Sequence, residues 1–348
     1  MKEIKKSTLS SEREKANTIY ERVILQNVWS PFIVKLFYAF QTPDKLFYIL
    51  DFWSGGELFS HLKKNYSFRE GKARFYAAEC ILALEELHKH EIIYRDLKPE
   101  NIMLDREGHV KLTDFGLSKI VYKEKDKKLY TFAGTLEYLA PEIVKEDGYD
   151  KSVDWWSLGA ILYEMLVGVQ PFHNNNQQKL LHNIQFKDLT FPDTVSKSAK
   201  DLLRKLLHRK PKLRLGSGEN GVEEIKNHKF FKCIDWNKLA NKQIKPPFKP
   251  KVKFDSDSRN FDEEFTKLRV DGSSDSYKMS IKEKEDNYIR DFTLYTNSTQ
   301  SHKEKLDIGK VLECNLKSVD LDMDTNKEFE TIIEENLLET NDSKSFLK

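Results

Sequence analysis

The run IIYRDLKPENIMLD, residues 92–105, followed by LTDFGLSK, residues 112–119, decides the reading of this chain. Transfer of a phosphoryl group asks a protein for little covalent chemistry. It asks for a held nucleotide, metal ions that neutralise phosphate charge, and an aligned hydroxyl. The two runs supply the alignment and the metal ligands. Asp96 is placed to accept the proton of an attacking hydroxyl, and Lys98 to steady the γ-phosphoryl in transit. Asn101 and Asp114 offer oxygen ligands to Mg2+. A lone D-F-G says little, but R-D-x-K-x-x-N, D-F-G and A-P-E (140–142) in that order are specific.

Outward from these runs the text divides in two. Residues 8–29 read as a helix with Ile19, Val23 and Leu25 on a partly apolar face. KLFYAF (35–40) and KLFYILDFW (45–53), separated by the turn-forming TPD, read as a hairpin, and Gly55 and Gly56 then break the pattern. Tyr76, Ala77, Cys80, Ile81, Leu84 and Leu87 recur at helical spacing between Arg69 and His90. Short strands are expected at Ile102–Leu104 and Val110–Leu112, and helices around 152–168, 175–185 and 197–208. The fold class is therefore α+β, a small strand-rich lobe followed by a larger helical one. Near Pro246 the composition shifts to the extended, Pro-punctuated PPFKPKVKF, and residues 271–287 are rich in Ser, Lys and Asp.

Composition narrows the partners. With 58 basic and 56 acidic side chains the net charge is +2, so no bulk field draws the chain to nucleic acid or membrane. Cys80, Cys233 and Cys314 form no C-x-x-C pair, which fits a reducing compartment. The opening MKEIKKSTLSSEREK lacks the apolar core of a signal peptide. The apolar stretch from Trp155 is short for a membrane span and carries Glu164, so it reads as a buried core helix. A monomer in the cytosol, with access to the nucleus, is expected.

YRDLKPEN, DFGLSK, TFAGTLEYLAPE (131–142), DWWSLG (154–159) and RLG (214–216) resemble the AGC class of serine/threonine protein kinases. EEIKNHKFF (223–231), DWNKL (235–239), PPFKP (246–250) and FDEEF (261–265) narrow the resemblance to the ribosomal S-six kinases of the ninety-kilodalton type. It runs from residue 1 to about residue 295. It implies a two-lobed kinase fold with ATP and Mg2+ as cofactors. The expected divisions are a partial small lobe at 1–53, a large lobe at 54–231 and an AGC-type tail at 232–298. Residues 299–348 are a linker or the degenerate start of a second kinase domain, since KLDIGKVLECN and TNKEFETII faintly resemble such a start.

The resemblance also implies roles. Leu50 is the gatekeeper, Asp51 and Trp53 lie on the hinge that meets adenine, and Met103 forms the floor beneath it. Glu57 and Glu100 meet ribose and basic residues upstream of the target serine or threonine, so basic-directed protein substrates are expected. Phe132, Leu136 and Leu139 line a pocket for the residue after the phosphoacceptor. Asp154 braces the catalytic loop, and Glu142 pairs with Arg214. Thr131 is the activation-loop phosphosite, with Arg95 and Lys119 to receive its phosphate. IRDFTL (289–294) resembles the hydrophobic motif, with Thr293 as phosphoacceptor and with Ile289 and Leu294 where the family prefers aromatics. An activating kinase of the phosphoinositide-dependent type is the implied partner at Thr131 and this motif. Ser273 aligns with the turn-motif phosphosite, but Ser274 stands where that motif has proline.

No G-x-G-x-x-G occurs in the sequence. MKEIKK resembles the third strand of the kinase small lobe, which makes Lys2 the α/β-phosphate lysine and Glu21, nineteen positions on, its ion-pair partner. A chain beginning at that strand is expected to leave a sheet edge and an apolar face open. It is also expected to hold ATP weakly. The alternative to an active enzyme is a catalytically silent fragment or pseudokinase that acts as a binding or decoy module.

Overall fold

The computed structural model describes residues 1–121, 128–254, 256–261, 266, 288–289 and 292–295. Its amino-terminal part is a sheet of four strands in the order β1-β3-β2-β8. β2 (Leu36–Gln41) and β3 (Lys45–Leu50) form the expected hairpin. Thr42 closes its turn by donating to Asp44 at 2.7 Å and accepting from the amide of Lys45 at 3.1 Å. β1 (Lys2–Lys5) pairs antiparallel with β3, Lys2 opposite Tyr48. On the far side β8 (Leu294–Tyr295) pairs with β2. Among the described residues β1 is an edge strand, with half-buried Lys2 and Ile4 on one face of the sheet and exposed Glu3 and Lys5 on the other. Glu3 pairs with Lys45 at 2.8 Å, and such charges discourage further strand pairing.

α1 spans Glu12–Asn27, shorter than the sequence pattern suggests. Residues 6–8 take a separate 3-10 turn, and Ser11 then starts the helix with a capping box shared with Glu14. At the other end Val28 is already extended. The helix buries Ile19, Val23, Ile24 and Leu25 with the sheet.

The larger part is helical: α2 (Leu58–Asn65), α3 (Glu70–Lys89), α4 (Pro141–Val144), α5 (Ser152–Val167), α6 (Gln177–Phe186), α7 (Lys197–Leu206), α8 (Val222–Lys226) and α9 (Trp236–Ala240). Two small sheets, β4 (Ile92–Ile93) with β7 (Lys119–Ile120) and β5 (Ile102–Leu104) with β6 (Val110–Leu112), carry the loops between them. α5 is buried on every side at the centre of the lobe, with Trp155, Trp156, Leu158, Ile161 and Leu162 all buried. Gly159 lets α7 approach: a Cβ there would lie 2.9 Å from Leu206. Glu142 and Arg214 pair through two hydrogen bonds, 2.6 and 2.9 Å, in the buried interior as expected. No described helix is long and apolar enough to cross a membrane.

From α9 the chain runs back along both lobes. Lys242 pairs with Asp105, Lys249 with Glu107, and Phe248 lies edge-on to His61 at 4.9 Å. Asn260 then donates to the carbonyl of Ser54 at 2.8 Å, and Phe261 stacks on Phe52. Phe292 is fully buried in the small lobe, edge-on to Tyr48 at 5.1 Å.

Candidate active site

The segment between β4 and β5 is held in an unusual backbone shape. Arg95 has φ 68°, a left-handed conformation that costs a residue with a Cβ about 1–2 kcal/mol. What holds it is Asp154 in the first turn of α5, fully buried, with both carboxylate oxygens engaged. Oδ1 accepts from the amide of Arg95 at 2.9 Å, and Oδ2 from the amide of Tyr94 at 3.0 Å and from His88 Nε2 at 2.8 Å. The brace expected of Asp154 is thus observed, with His88 as a further donor.

The brace sets Asp96 next to its partners. Asn101 Nδ2 donates to both Oδ2 and the backbone oxygen of Asp96, each at 2.9 Å. Lys98 Nζ lies 2.9 Å from Asp96 Oδ2 and donates to Thr135 Oγ1, whose hydroxyl donates to Asp96 Oδ1, each at 2.9 Å. Both oxygens of Asp96 are therefore oriented. Thr135 escaped the sequence reading; the second threonine of T-F-A-G-T was the signal available.

Lys2 links the two lobes. Its Nζ lies 2.8 and 3.1 Å from the Glu21 oxygens and 3.2 Å from Asp114 Oδ1. Burial works against the Lys2 ammonium, but the charges of Glu21 and Asp114 outweigh it and raise its pKa. Asp114, at φ 58°, keeps its carboxylate about half exposed, while Phe115 beside it is buried against the Tyr94 ring at 5.2 Å. The residues present fit Mg2+. The Asn101 amide nitrogen is used by Asp96, so its carbonyl oxygen is the end suited to a cation, and Asp114 adds a half-exposed carboxylate. Both are hard oxygen donors. The described residues include no cluster of three or more metal-binding side chains, so phosphate oxygens and water would complete the coordination.

On the hinge, Asp51 Oδ1 accepts from the amide of Lys35 at 2.8 Å, and the Trp53 ring faces Lys111 Nζ at 4.2 Å. The Asp51 carboxylate is thus engaged with the protein, while the buried Trp53 indole nitrogen has no hydrogen-bond partner among the described residues. Leu50 is half-buried opposite Leu36, and Met103 is half-buried between Ile102 and Leu104. The backbone of Glu57 bridges to Met103.

Glu100 Oε2 is buried with no hydrogen-bond partner among the described residues. Burial raises the Glu100 pKa, and the charges of Asp96 and Glu137 add to that against Lys98. Nearby Glu164 of α5 accepts from Tyr138 Oη at 2.7 Å and from Gln170 Nε2 at 2.8 Å. Burial, with Glu100 and Glu137, pushes its pKa up to about 7. The sequence showed Glu164 only as a charge inside an apolar helix. Phe132 and Leu136 are half-buried, and Leu139, at the end of the 3-10 turn Leu136–Tyr138, is buried at 2% exposed.

Thr131 is half-buried beside Arg95 and Tyr149. Its hydroxyl accepts from Arg95 Nη1 at 2.9 Å, and Tyr149 Oη donates to its carbonyl at 2.8 Å. Lys119 donates to Asn17 Oδ1 at 2.8 Å instead of to Thr131, and lies over the Tyr20 ring at 4.1 Å. Burial, reinforced by Arg95 and Arg13, lowers its pKa to about 7. Thr293 lies 3.5 Å from Gln41 Nε2. The same Gln41 side chain donates to the carbonyl of Ile289 at 2.8 Å and accepts from Lys6 Nζ at 2.7 Å. Ser273 and residues 299–348 lie outside the described residues.

Comparison with known proteins completes the picture. The protein kinase domain family matches residues 1–231. The chain belongs to the protein kinase family. It is 53% identical over 266 residues to ribosomal protein S6 kinase alpha-2 of Mus musculus, a match covering 76% of this chain and 36% of that protein. To ribosomal protein S6 kinase beta of Caenorhabditis elegans it is 51% identical over 269 residues, covering 77% and 49%. To serine/threonine-protein kinase gad8 of Schizosaccharomyces pombe it is 51% identical over 266 residues, covering 76% and 46%. The chain spans about a third to a half of the length of these relatives. The kinase domain is of the AGC serine/threonine type, and ATP and Mg2+ come with that assignment.

Proposed function

We propose that this kinase transfers the γ-phosphoryl group of ATP to serine or threonine hydroxyls in proteins carrying basic residues upstream. The observation that carries the reading is the oriented carboxylate of Asp96, with Thr135 and Lys98 on one side and Asn101 on the other. Asp96 takes the hydroxyl proton as the new O–P bond forms, and Lys98 holds the transferring group. Lys2, fixed by Glu21, meets the α- and β-phosphates. Mg2+, when bound by Asn101 and Asp114, offsets the phosphate charge. Backbone groups of Asp51 and Trp53 take adenine, with Met103 as the floor beneath it and Leu50 as gatekeeper.

Glu57, Glu100 and Glu164 form the acidic side that favours a basic substrate. The unpartnered Glu100 oxygen supports this, since a guanidinium would satisfy it with a charge-assisted hydrogen bond. Phe132 and Leu136 take the following residue. Phosphorylation of Thr131 by a kinase of the phosphoinositide-dependent type, docked at 289–294, orders Arg95 and Lys119 around the phosphate. Ser273 and Thr293 are further phosphosites. We place the protein in intracellular signalling, as a monomer in the cytosol with access to the nucleus. Peptides differing only in Arg or Glu three residues before the serine test the reading. A preference for Arg that Glu100→Gln abolishes is expected; equal use of both peptides refutes it.

A further inference from the structure

Lys72, in the first turn of α3, has no ion pair among the described residues. Its ammonium instead lies among aromatic rings: Nζ is 3.9 Å from the centre of Phe68, 4.6 Å from Phe248 and 5.9 Å from Tyr76. Phe68 and Tyr76 belong to the large lobe, whereas Phe248 belongs to PPFKP in the tail. The cation therefore lies between two parts of the chain that are distant in sequence. Phe248 is fixed on its other side by His61, and its carbonyl would lie 1.9 Å from any Cβ on Gly108. The flanking pair Lys249–Glu107 is more than half exposed and adds little. Beyond Phe248 the tail reaches the hinge through Asn260 and Phe261.

We propose that Lys72 is a charge-dependent anchor for the tail and a modification site at which acylation releases the 246–250 turn. The attraction of a ring face for an ammonium needs the positive charge. An amide at Nζ has none, while a trimethylammonium keeps it. In the modification the neutral amine attacks the carbonyl carbon of an acyl thioester. The C–N bond forms, the C–S bond breaks, and the thiol leaves with the proton lost from nitrogen. Burial lowers the Lys72 pKa, which enlarges the neutral fraction that can react.

The full chain carrying acetyl-lysine at position 72 is compared with the unmodified chain and with one carrying trimethyl-lysine there. Hydrogen exchange at the amides of Gly108 and His109, which donate to Asp105 Oδ1 beneath Phe248, reports docking. The acetylated form should exchange about 5–30-fold faster and the trimethylated form at the unmodified rate. Phe248→Leu should raise exchange and erase the difference between the two. Equal exchange in acetylated and trimethylated chains overturns the anchor. Incubation with acetyl-coenzyme A under conditions that acetylate exposed Lys212, with no acetyl group appearing on Lys72, overturns the modification site.

Discussion

Replacing Asp154 by Asn removes a charge and one acceptor while keeping the side chain's shape. The carboxylate now receives the amides of Tyr94 and Arg95 and the His88 ring, through two different oxygens. An amide has a single oxygen. Whichever way it turns, its NH2 faces one of the two backbone amides, and a donor meets a donor. His88 can answer by changing tautomer; Tyr94 and Arg95 cannot. At least one fully buried N–H is left without an acceptor, which costs about 1–3 kcal/mol. The other amide trades a charged acceptor for a neutral one. The left-handed Arg95 then loses its restraint, and the adjacent Asp96 drifts. A misplacement of about 1 Å costs on the order of 100-fold in rate. The assay is kcat for a basic peptide, paired with thermal unfolding. A fall in kcat of about 10–100-fold is expected, with Tm lowered by at least about 2 °C and KM for ATP near the parent value. Parent-like kcat and Tm would show that Asp154 does not brace the loop.

The other predictions concern the charges around the site and the docked tail. Glu164→Gln should raise KM for an arginine-rich peptide about tenfold, as expected for a lost charge-assisted hydrogen bond, and leave KM for ATP unchanged. In the parent, KM for that peptide should rise as pH falls through about 7, because protonation removes the attracting charge; a flat profile contradicts this. Lys119, lowered from 10.5 to about 7, destabilises the fold fully below that value, and the penalty is relieved as pH rises toward 10.5, where the unfolded chain also loses its proton. Denaturation midpoints of Lys119→Met against the parent should therefore differ most near pH 7 and converge toward pH 10 (roughly the ordinary lysine range). Phe292→Ala removes a buried ring worth about 3–5 kcal/mol, which should free the 292–295 segment and raise amide exchange along β2; unchanged exchange there would contradict the docking.

The sequence made some features plain because they are local. β5 and β6 fall at 102–104 and 110–112 as read, since hydrophobic runs closed by Asp105 and Gly108 have one good solution. α3 fills its predicted span to within a residue at each end. Asp96, Lys98, Asn101, Lys2, Glu21 and Asp114 come together as their motifs implied. What stayed hidden depends on contacts between distant residues. Nothing in the periodicity of α5 tells that Glu164 meets Tyr138 and Gln170, because a charge in a core helix has no local signature. Gln41 looks like a strand-end polar residue until Ile289, 248 positions later, arrives to bond with it.

The central claim is that the Asp96 arrangement performs phosphoryl transfer, however slow the turnover. The most direct measurement is single-turnover transfer of labelled γ-phosphate from Mg-ATP to an Arg-x-x-Ser peptide by the full chain, beside Asp96→Asn. The account predicts transfer that the substitution cuts by at least about 100-fold while ATP affinity stays within a few-fold. Equal transfer by the two proteins, or none by either, would contradict it.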